Sequence, residues 1–266
     1  MLGDLSGRTA VVTGAGGGLG RAMAVALAEY GARVAVSDLH ERRAGETADL
    51  LPGDPLALEL DVTSLESVAA GAETVLGALG PPHILVNNAG IASATIGREG
   101  APDRDEDWAA ILLVNVQGTV RSCEAFLPVM KERRRGKIIN IGSMAGHAAR
   151  QIGGAYATSK AAILRYTKGL AVEVAPFGIN VNAVCPGAVW TPLQERGIAY
   201  RQSQDPELAA RDPYEIFTAN YARTIPLGRP QTAEEVAAAV VFLASSAADN
   251  ITGQCLHVDG GAILRD

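Results

Sequence analysis

Short apolar runs alternate with longer helix-like segments along the chain, and this alternation constrains the fold more than any other feature. The runs are continuously apolar rather than alternately polar, which is typical of strands covered by helices on both faces. Right-handed crossovers between such strands would make the sheet doubly wound. The pattern therefore predicts an α/β fold with a doubly wound, seven-stranded parallel sheet and helices on both faces. The predicted strands are Thr9–Val12, Arg33–Ser37, Leu56–Leu60, Ile84–Val86, Lys137–Ile141, Asn180–Val184 and Cys255–Val258.

The segments between the predicted strands carry apolar residues at helical spacing. No linker rich in Pro, Gly or Ser and no internal repeat divides the chain, so we expect residues 1–266 to form a single domain. Pro128 lies inside the fourth segment and predicts a kink or break there, because proline lacks an N–H donor. The predicted helices are Arg21–Tyr30, His40–Leu51, Leu65–Leu79, Asp105–Arg135, Ala155–Ala175 and Thr232–Ser246.

The stretch from Trp190 to Pro230 contains no predicted strand and one predicted helix, near Asp212–Arg223. A long irregular segment in a compact domain is usually either a functional lid or disordered. Its aromatic content favours a lid, at about residues 190–230, that covers a substrate pocket. The aromatic residues considered are Tyr200, Tyr214, Phe217 and Tyr221.

The charge balance argues against a nucleic-acid partner. With 29 acidic and 23 basic residues the formal net charge is −6, so the chain lacks the basic footprint that binding a phosphate backbone requires. The densest basic cluster, Arg133–Arg135, lies at the end of a predicted helix, where cations interact favourably with the helix dipole. We therefore expect no nucleic-acid partner.

Cysteine and histidine spacings predict neither a disulfide framework nor a metal site. The chain has three cysteines and four histidines, with no CxxC pair and no metal-ligand spacing. His147, which closely follows Ser143, is the one histidine that is a candidate for the wall of a substrate pocket. The cysteines are Cys123, Cys185 and Cys255, and the other histidines are His40, His83 and His257.

Two segments bear on cellular location. Residues Met1–Gly7 include Asp4 and lead directly into the first strand, unlike a secretory leader with a charged and then an apolar region. The uncharged stretch Val236–Ala248 is too short to span a bilayer. We expect a cytoplasmic protein that does not contact a membrane.

A glycine-rich turn follows the first predicted strand and precedes a helix that begins near Arg21. Glycines let such a turn approach a pyrophosphate closely, and the N–H groups at the start of the helix attract its charge. Between a strand and a helix, this motif predicts a dinucleotide site and makes the predicted sheet Rossmann-like. The absence of Gly-Lys-Ser/Thr argues against a P-loop nucleotide hydrolase. The turn has the sequence Thr13-Gly14-Ala15-Gly16-Gly17-Gly18-Leu19-Gly20.

Asp38 ends the second predicted strand, eighteen residues after Gly20. A carboxylate at this position can accept hydrogen bonds from both ribose hydroxyls of an adenosine, and it would repel a 2′-phosphate. Neither Gly17 nor Leu39 supplies a neighbouring cation for that phosphate. The pattern predicts NAD rather than NADP, with the alternative that Asp38 only caps the next helix.

Tyr156 and Lys160 are four residues apart on a predicted helix, so their side chains lie on one face. The pKa of tyrosine is ordinarily about 10, and a neighbouring ammonium lowers it toward the range in which a phenol exchanges its proton at neutral pH. Ser143 follows the strand Lys137–Ile141, at the strand end where doubly wound sheets bind ligands. Its hydroxyl would hydrogen-bond a developing alkoxide. Together the three residues predict acid/base chemistry.

A set of short motifs follows a fixed order over nearly the whole chain. They are Thr13-Gly-x-x-x-Gly18-x-Gly20, Asp61-Val62, Asn87-Asn88-Ala89-Gly90, Asn115, Ser143, Tyr156 with Lys160, Pro186-Gly187 and Asp259-Gly260-Gly261. The set resembles the short-chain dehydrogenase/reductase family, in its compact single-domain branch. This resemblance implies an NAD-dependent oxidoreductase that interconverts a secondary alcohol and its ketone by hydride transfer.

The resemblance also assigns catalytic roles to four residues. Tyr156 would be the acid/base that donates a proton to the carbonyl oxygen or takes it from the alcohol. Lys160 would hold the nicotinamide ribose and lower the pKa of Tyr156, while Ser143 would orient the substrate oxygen. Asn115 would distort its helix and hold a water that links Lys160 to solvent.

Cofactor and substrate contacts follow from the same resemblance. The glycine turn would contact the pyrophosphate through its backbone, Asp61 and Val62 the adenine, and Asn88 the adjoining ribose. The expected cofactor residues are Gly14, Gly17, Gly18, Leu19, Gly20, Asp38, Asp61, Val62, Asn88, Tyr156, Lys160 and, for the nicotinamide half, Val189 and Thr191. The expected substrate residues are Ser143, His147, Gln151 and Trp190.

The mixed composition of that pocket suits a polyol, a sugar or a cyclic secondary alcohol. The resemblance implies a homotetramer built through the two long helices and the C-terminal strand. Two other functions stay open: a dinucleotide-binding sensor or scaffold without turnover, and an epimerase or dehydratase on the same fold. The presence of Ser143, Tyr156 and Lys160 argues against the first. The second usually has a separate substrate domain and a Gly-x-x-Gly-x-x-Gly turn, neither of which the sequence contains.

Overall fold

A computed structural model describes residues 3–92, 104–148 and 154–264, and these form one parallel sheet with helices on both faces. The strands are β1 (Thr9–Val12), β2 (Arg33–Asp38), β3 (Leu56–Glu59), β4 (Ile84–Asn87), β5 (Gly136–Ile141), β6 (Ile179–Pro186) and β7 (Cys255–Val258). Their order is β3-β2-β1-β4-β5-β6-β7, so the sheet reverses its winding between β1 and β4. The predicted fold class is confirmed.

The sheet has two apolar cores because successive residues of a strand point to opposite faces. Val12 of β1 packs in the core that includes Leu27 and Val240, whereas the adjacent Val11 packs in the core that includes Phe126. All four residues of β1 and of β4 are buried. Burial on both faces explains why these strands are continuously apolar in the sequence.

Ten α-helices surround the sheet in the described parts of the chain. They are α1 (Gly18–Glu29), α2 (Glu41–Ala48), α3 (Leu65–Leu79), α4 (Asp105–Ile111), α5 (Gly118–Arg133), α6 (Gly154–Val174), α7 (Pro192–Gln204), α8 (Pro206–Ala209), α9 (Pro213–Ala222) and α10 (Ala233–Ala244). Local signals set several of their starts: the Ser64 hydroxyl caps α3, and Thr232 with Glu235 forms a capping box at α10. In the described residues, we find no helix with the length and hydrophobicity needed for a membrane span.

The fourth predicted helix consists of two α-helices joined by a π-helical segment, Leu112–Gln117. The break is therefore at Asn115 and its neighbours, and a break at Pro128 is wrong, since α5 continues through that residue. A proline removes one backbone donor from a helix, and packing of α5 against the sheet outweighs that cost here. A π-helical segment leaves the regular hydrogen-bond ladder and is frequent at functional sites.

The segment predicted to be a lid is helical rather than irregular. Pro192, Pro206 and Pro213 each occupy the first position of a helix. At that position the N–H that proline lacks would have no acceptor within the helix. The predicted helix near Asp212–Arg223 is confirmed as α9. Each of these prolines thus begins a helix in the segment that lacks a strand.

Candidate active site

The predicted site residues gather at the carboxyl ends of the strands. The glycine turn follows β1, Asp38 ends β2, and Asn88 directly follows β4. Ser143 comes shortly after β5, and Val189 comes shortly after β6. Parallel strands end at one edge of the sheet, and the crevice at the reversal of strand order is where such folds bind ligands.

Two glycines of the turn after β1 occupy positions that have no room for a side chain. Gly14 has a positive φ of 62°, and a Cβ there would lie 2.8 Å from the Cα of Ala89. A Cβ at Gly20 would lie 2.3 Å from the carbonyl oxygen of Gly14, so α1 packs directly onto the turn. The resulting cradle has the open backbone and helix N-terminus that a pyrophosphate requires.

Thr13 and Asn88 hold this turn against the end of β4. The Thr13 hydroxyl accepts hydrogen bonds from the N–H groups of Asn88 and Ala89, at 3.1 Å each. The Asn88 side-chain amide donates to the carbonyls of Thr13 and Gly14, at 2.9 Å each. Asn88 therefore braces the turn as well as lying where a ribose contact was predicted, and sequence reasoning did not assign Thr13 this role.

The remaining residues of the turn lie between two helix starts. Gly17 is the N-cap of α1 and Leu19 packs against the apolar core. A Cβ at Gly18 would lie 3.8 Å from the Pro192 ring and 4.0 Å from the Thr191 methyl group. Since Thr191 is the N-cap of α7, two helix N-termini face the space above Gly18, and both attract negative charge.

Asp38 is 6% exposed and its carboxylate is held by backbone donors. It accepts hydrogen bonds from the N–H of Gly16 at 2.9 Å and from the N–H of His40 at 3.3 Å. The guanidinium of Arg43 approaches the same carboxylate to 3.9 Å and would lie 3.2 Å from a Cβ at Gly17. The sequence analysis considered only Gly17 and Leu39 as positions for a neighbouring cation and missed Arg43. The available signal was that Arg43 lies in the first turn of α2, the helix that follows β2.

Asp61 and Val62 occupy the loop between β3 and α3. The Asp61 carboxylate accepts hydrogen bonds from the Thr63 N–H at 2.8 Å and the Thr63 hydroxyl at 2.7 Å. Val62 is buried, and a Cβ at Gly118 would lie 2.6 Å from its Cγ2. Asp61 thus orders the loop locally and Val62 packs it against α5, at the adenine side of the predicted cofactor site.

Val189 and Trp190 connect the sheet to the helices of the predicted lid. Val189 is buried and pairs with Gln231 as an isolated β-bridge. The Trp190 ring packs edge-on against Phe217 at 5.1 Å and Tyr214 at 5.5 Å, between ring centroids. The aromatic residues of the segment therefore form its own small core, which anchors α7 and α9 to each other.

Ser143, Tyr156 and Lys160 come together as the spacing predicted. The Tyr156 phenol and the Ser143 hydroxyl share a hydrogen bond. Lys160 is 6% exposed, donates to the carbonyl of Ile141 at 2.8 Å, and lies 5.8 Å from the centroid of the Tyr156 ring. Helix α6 supplies two of the groups and the end of β5 supplies the third.

Burial shifts the pKa values of both Tyr156 and Lys160. Burial raises the pKa of Tyr156 above its ordinary value, and the hydrogen bond with Ser143 opposes that rise. Burial is the larger of the two effects, and the Lys160 ammonium donates to the Ile141 carbonyl, so a lowering of the Tyr156 pKa by Lys160 stays a prediction. Burial lowers the pKa of Lys160 itself to about 8. Lys160 therefore exchanges its proton much closer to neutrality than an ordinary lysine.

Asn115 lies at the π-helical segment between α4 and α5 and is 1% exposed. Its side-chain oxygen accepts from the N–H of Ile91 at 2.8 Å, and its amide donates to the Ile91 carbonyl at 2.9 Å. The amide also donates to the Ser159 hydroxyl, which in turn donates to the carbonyl of Tyr156. Asn115 thus connects the loop after β4 to the turn of α6 that carries Tyr156.

The predicted substrate residues are described only in part. Gln151 lies outside the described residues. The His147 ring packs against His257 with 4.7 Å between centroids. A cavity of about 60 Å³ lies beside the turn after Ser143, between it, α9 and the C-terminal loop. Its lining residues are Met144, Ala145, Ala148, Tyr221, Thr224, Ile225, Ala262 and Ile263.

Comparison with known proteins decides the family. A family model described as enoyl-(acyl carrier protein) reductase matches residues 14–262. The chain belongs to the short-chain dehydrogenase/reductase family. As a short-chain dehydrogenase/reductase, it is an oxidoreductase that acts on CH–OH or keto groups with a nicotinamide dinucleotide cofactor.

Members of this family resemble the chain along its whole length. It is 37% identical to the 3-oxoacyl-(acyl-carrier-protein) reductase FabG of Vibrio cholerae, over 98% of this chain and 99% of the relative. A short-chain type dehydrogenase/reductase from Mycobacterium marinum superposes with a TM-score of 0.83 at 35% identity, over 99% of this chain and 98% of that one. A structure titled ribose-5-phosphate isomerase, from Brucella melitensis, superposes with a TM-score of 0.84 at 36% identity, over 98% and 94%.

Proposed function

We propose that the protein interconverts a secondary alcohol and its ketone by hydride transfer, with NAD as the cofactor and Tyr156 as the acid/base. The observation that carries the proposal is the hydrogen bond between the Tyr156 phenol and the Ser143 hydroxyl, one helical turn from the buried Lys160. A phenol and a hydroxyl that converge at the ligand-binding edge of a doubly wound sheet can hold one carbonyl oxygen between them.

Each residue has a distinct part in the proposed reaction. Ser143 donates a hydrogen bond to the substrate oxygen and fixes its position. In ketone reduction Tyr156 gives its proton to that oxygen, and in alcohol oxidation it takes the proton back. When bound, the nicotinamide supplies or accepts the hydride. Because Ser143 also stabilises the phenolate, loss of the Tyr156 proton costs less than burial alone would impose.

The proton that Tyr156 exchanges needs a path to solvent. We assign this path to Lys160, whose pKa of about 8 lets it take and return a proton near neutral pH. Lys160 also holds the nicotinamide ribose in the proposed complex. A Cβ at Gly90 would lie 3.6 Å from the Lys160 Nζ and 3.3 Å from the Asn115 Oδ1, so only a glycine separates these two side chains. Asn115 is proposed to hold the water next to Lys160.

The residues at the predicted cofactor site fit a dinucleotide. A Cβ at Gly14 or Gly20 would collide with Ala89 or with the Gly14 carbonyl, so these glycines let the turn pack tightly at the start of α1. The free N–H groups at that helix N-terminus support pyrophosphate binding by the backbone. We propose that Gly17, Gly18 and Leu19 complete this contact. The adenosine half is proposed to contact Asp61, Val62 and Asn88, and the nicotinamide half Val189 and Thr191.

The choice of NAD rests on Asp38. Its buried carboxylate at the end of β2 can accept from both ribose hydroxyls, and its charge repels a 2′-phosphate. Arg43 favours the opposite choice, because its side chain is 44% exposed and its guanidinium lies 3.9 Å from the Asp38 carboxylate. We propose that Asp38 dominates, since its carboxylate is fixed at the end of β2, where the ribose is proposed to bind, while the Arg43 side chain is largely exposed.

Two substrate classes are proposed for the test. Our sequence-based expectation is a polyol, a sugar or a cyclic secondary alcohol. The name of the Vibrio cholerae relative favours a 3-oxoacyl thioester as the second candidate. The cavity beside the catalytic turn is lined largely by apolar groups such as Met144, Ile225 and Ile263, which suits the apolar part of either a cyclic alcohol or an acyl chain.

A substrate screen tests the proposed function. The protein is incubated with NAD and a panel of polyols, sugars and cyclic alcohols, and in the reverse direction with NADH and 3-oxoacyl thioesters. Absorbance of the reduced nicotinamide is the readout. Turnover of one class supports the proposal. Tight NAD binding without turnover would favour the sensor. Conversion of an epimerisable sugar or of ribose 5-phosphate without a net change in NADH would favour an epimerase, a dehydratase or an isomerase.

The assembly and location remain proposals. We propose a homotetramer that pairs through α5, α6 and the C-terminal strand β7, in a cytoplasmic protein with a small-molecule substrate. A groove of about 680 Å³ between α5 and α6 supports a contact there, with Leu127, Pro128 and Leu170 among its lining residues. We also propose that residues 1–266 act as one domain, with residues 190–230 as a lid. Light scattering gives the oligomeric state directly.

A further inference from the structure

Three potential metal ligands from separate chain segments converge beside the catalytic turn. His147 follows the turn after Ser143, Cys185 is in β6 and His257 is in β7. One ligand atom from each lies within 4.8 Å of the other two. Cys185 and His257 are register partners in adjacent parallel strands, so their side chains lie next to each other on one face of the sheet.

The donor types in this cluster suit one class of metal ion. Imidazole nitrogen and thiolate sulfur are preferred ligands of Zn²⁺, at about 2.0–2.1 Å and 2.3 Å respectively. Tetrahedral ligands at those distances are roughly 3 to 4 Å apart, so closing the cluster around an ion requires small side-chain rotations. Cys185 is buried, while His147 and His257 are half-buried, which leaves an approach for an ion from the histidine side.

A buried carboxylate orients one of the histidines. Asp259 is 4% exposed, and its Oδ2 lies 3.3 Å from the Nδ1 of His257. Its position is fixed by hydrogen bonds from the N–H groups of Gly261, at 2.9 Å, and Ile263, at 3.1 Å. In the tautomer in which Nδ1 donates to Asp259, Nε2 carries the lone pair that binds a metal. A carboxylate behind a histidine is the usual support of a zinc ligand.

We infer that His147, Cys185 and His257 form a binding site for Zn²⁺ or a chemically similar divalent transition metal, with a fourth position for water. The site adjoins the proposed catalytic groups but shares no ligand with them, since Ser143, Tyr156 and Lys160 are not among its ligands and His147 lies four residues after Ser143. A bound ion would connect the turn after β5 to β6 and β7, and it would therefore stabilise the turn that carries Ser143.

Cobalt binding tests this site without substrate or cofactor. Co²⁺ in a site with one thiolate gives a thiolate-to-cobalt charge-transfer band and tetrahedral visible bands. We expect both bands to saturate at one Co²⁺ per chain and to disappear when Zn²⁺ displaces the ion. Absence of a charge-transfer band at saturating Co²⁺ would overturn the inference, and it would leave the proposed oxidoreductase activity unaffected.

Variants locate the bound ion. Cys185→Ser should remove the charge-transfer band, while Cys123→Ser, a control at another buried thiol, should keep it. Cys255→Ser should also keep it, although the Cys255 thiol hydrogen-bonds Cys185. If Cys185→Ser does not fold, His147→Gln is used as the test variant instead. Its control is His40→Gln, since His40 is exposed. A band that survives both Cys185→Ser and His147→Gln contradicts the site.

Asp259→Asn and thermal unfolding give a second, independent readout. Losing the carboxylate behind His257 should weaken Co²⁺ binding by roughly 10- to 100-fold without abolishing it. Zn²⁺ should raise the melting temperature of the wild type and of Cys123→Ser, because an ion that binds only the folded state stabilises it. An equal rise in Cys185→Ser would place the ion elsewhere and would refute the proposed ligand set.

Discussion

The side-chain amide of Asn115 forms two hydrogen bonds with the backbone of Ile91, one with its N–H and one with its carbonyl. This pair joins the π-helical segment to the loop that follows β4, and through Ser159 it reaches the helix that carries Tyr156. One buried amide thus links the loop after β4 to the helical turn that carries Tyr156, the proposed acid/base. Its removal should affect both the stability of the fold and turnover.

Asn115→Ala should lower both the free energy of unfolding and kcat. The change leaves the N–H and carbonyl of Ile91 without their partner, at an expected cost of about 2 to 4 kcal/mol. Asn180→Ala is a matched control, because Asn180 also donates to two backbone carbonyls, far from the site. Urea unfolding and initial rates measure the two effects. Wild-type kcat in folded Asn115→Ala would show that Asn115 acts only on stability.

Tyr156→Phe should reduce turnover on the order of 10²- to 10⁴-fold and leave NADH binding nearly unchanged, since only the proton-transferring hydroxyl is removed. Tyr166→Phe, on the same helix, is the control and should retain turnover. Initial rates and NADH fluorescence titration measure the two properties. If Tyr156→Phe and Tyr166→Phe lose activity to the same small extent, Tyr156 is not the acid/base.

Asp38→Asn should shift cofactor preference toward NADP, because it removes the negative charge that repels a 2′-phosphate while keeping a hydrogen-bond acceptor for Gly16. We expect the ratio of kcat/KM for NAD to that for NADP to fall at least about tenfold, equivalent to about 1.4 kcal/mol. Arg43→Ala should reduce the remaining use of NADP.

Asp54→Asn is the control for this comparison, since Asp54 is exposed and pairs with Arg33 away from the glycine turn. It should leave the ratio unchanged. A tenfold preference of the wild type for NADPH would contradict the NAD assignment.

Lys160 should make stability depend on pH in the alkaline range. Its pKa in the folded protein is about 8, against 10.5 for an ordinary lysine, so between these values the unfolded chain binds more of this proton. The free energy of unfolding should therefore rise as pH rises through that window, by up to roughly 3 kcal/mol. The cost of burying the ammonium is present in full below pH 8 and is absent above pH 10.5.

Urea unfolding of Lys160→Met at several pH values tests this expectation. The variant has no ammonium to bury, so its stability should rise less between pH 8 and 10.5 than that of the wild type. Lys168→Met removes an exposed lysine of the same helix and should retain the full rise. Equal slopes in Lys160→Met and the wild type would refute the depressed pKa.

Several helix starts and breaks could not be predicted from the sequence. The segment at about residues 190–230 was expected to be largely irregular, but Pro192, Pro206 and Pro213 each begin a helix, and a proline at a helix start and a proline in a loop look alike in a sequence. The resemblance to the family implied that Asn115 distorts its helix, and the π-helical segment at Asn115 agrees with that, whereas the break expected at Pro128 is absent. The π-helical segment is accompanied by tertiary hydrogen bonds between Asn115 and Ile91. Such bonds have no local signal.

The sequence by itself determined the sheet, its seven strands, the glycine turn and the pairing of Tyr156 with Lys160, because each depends on residue type and spacing within a short stretch. Only the tertiary structure decided which distant residues meet. It brought Arg43 to Asp38, Asn115 to Ile91, and His147 to Cys185 and His257. These contacts depend on strand order and register, which are set by packing across the whole chain and not by any one segment.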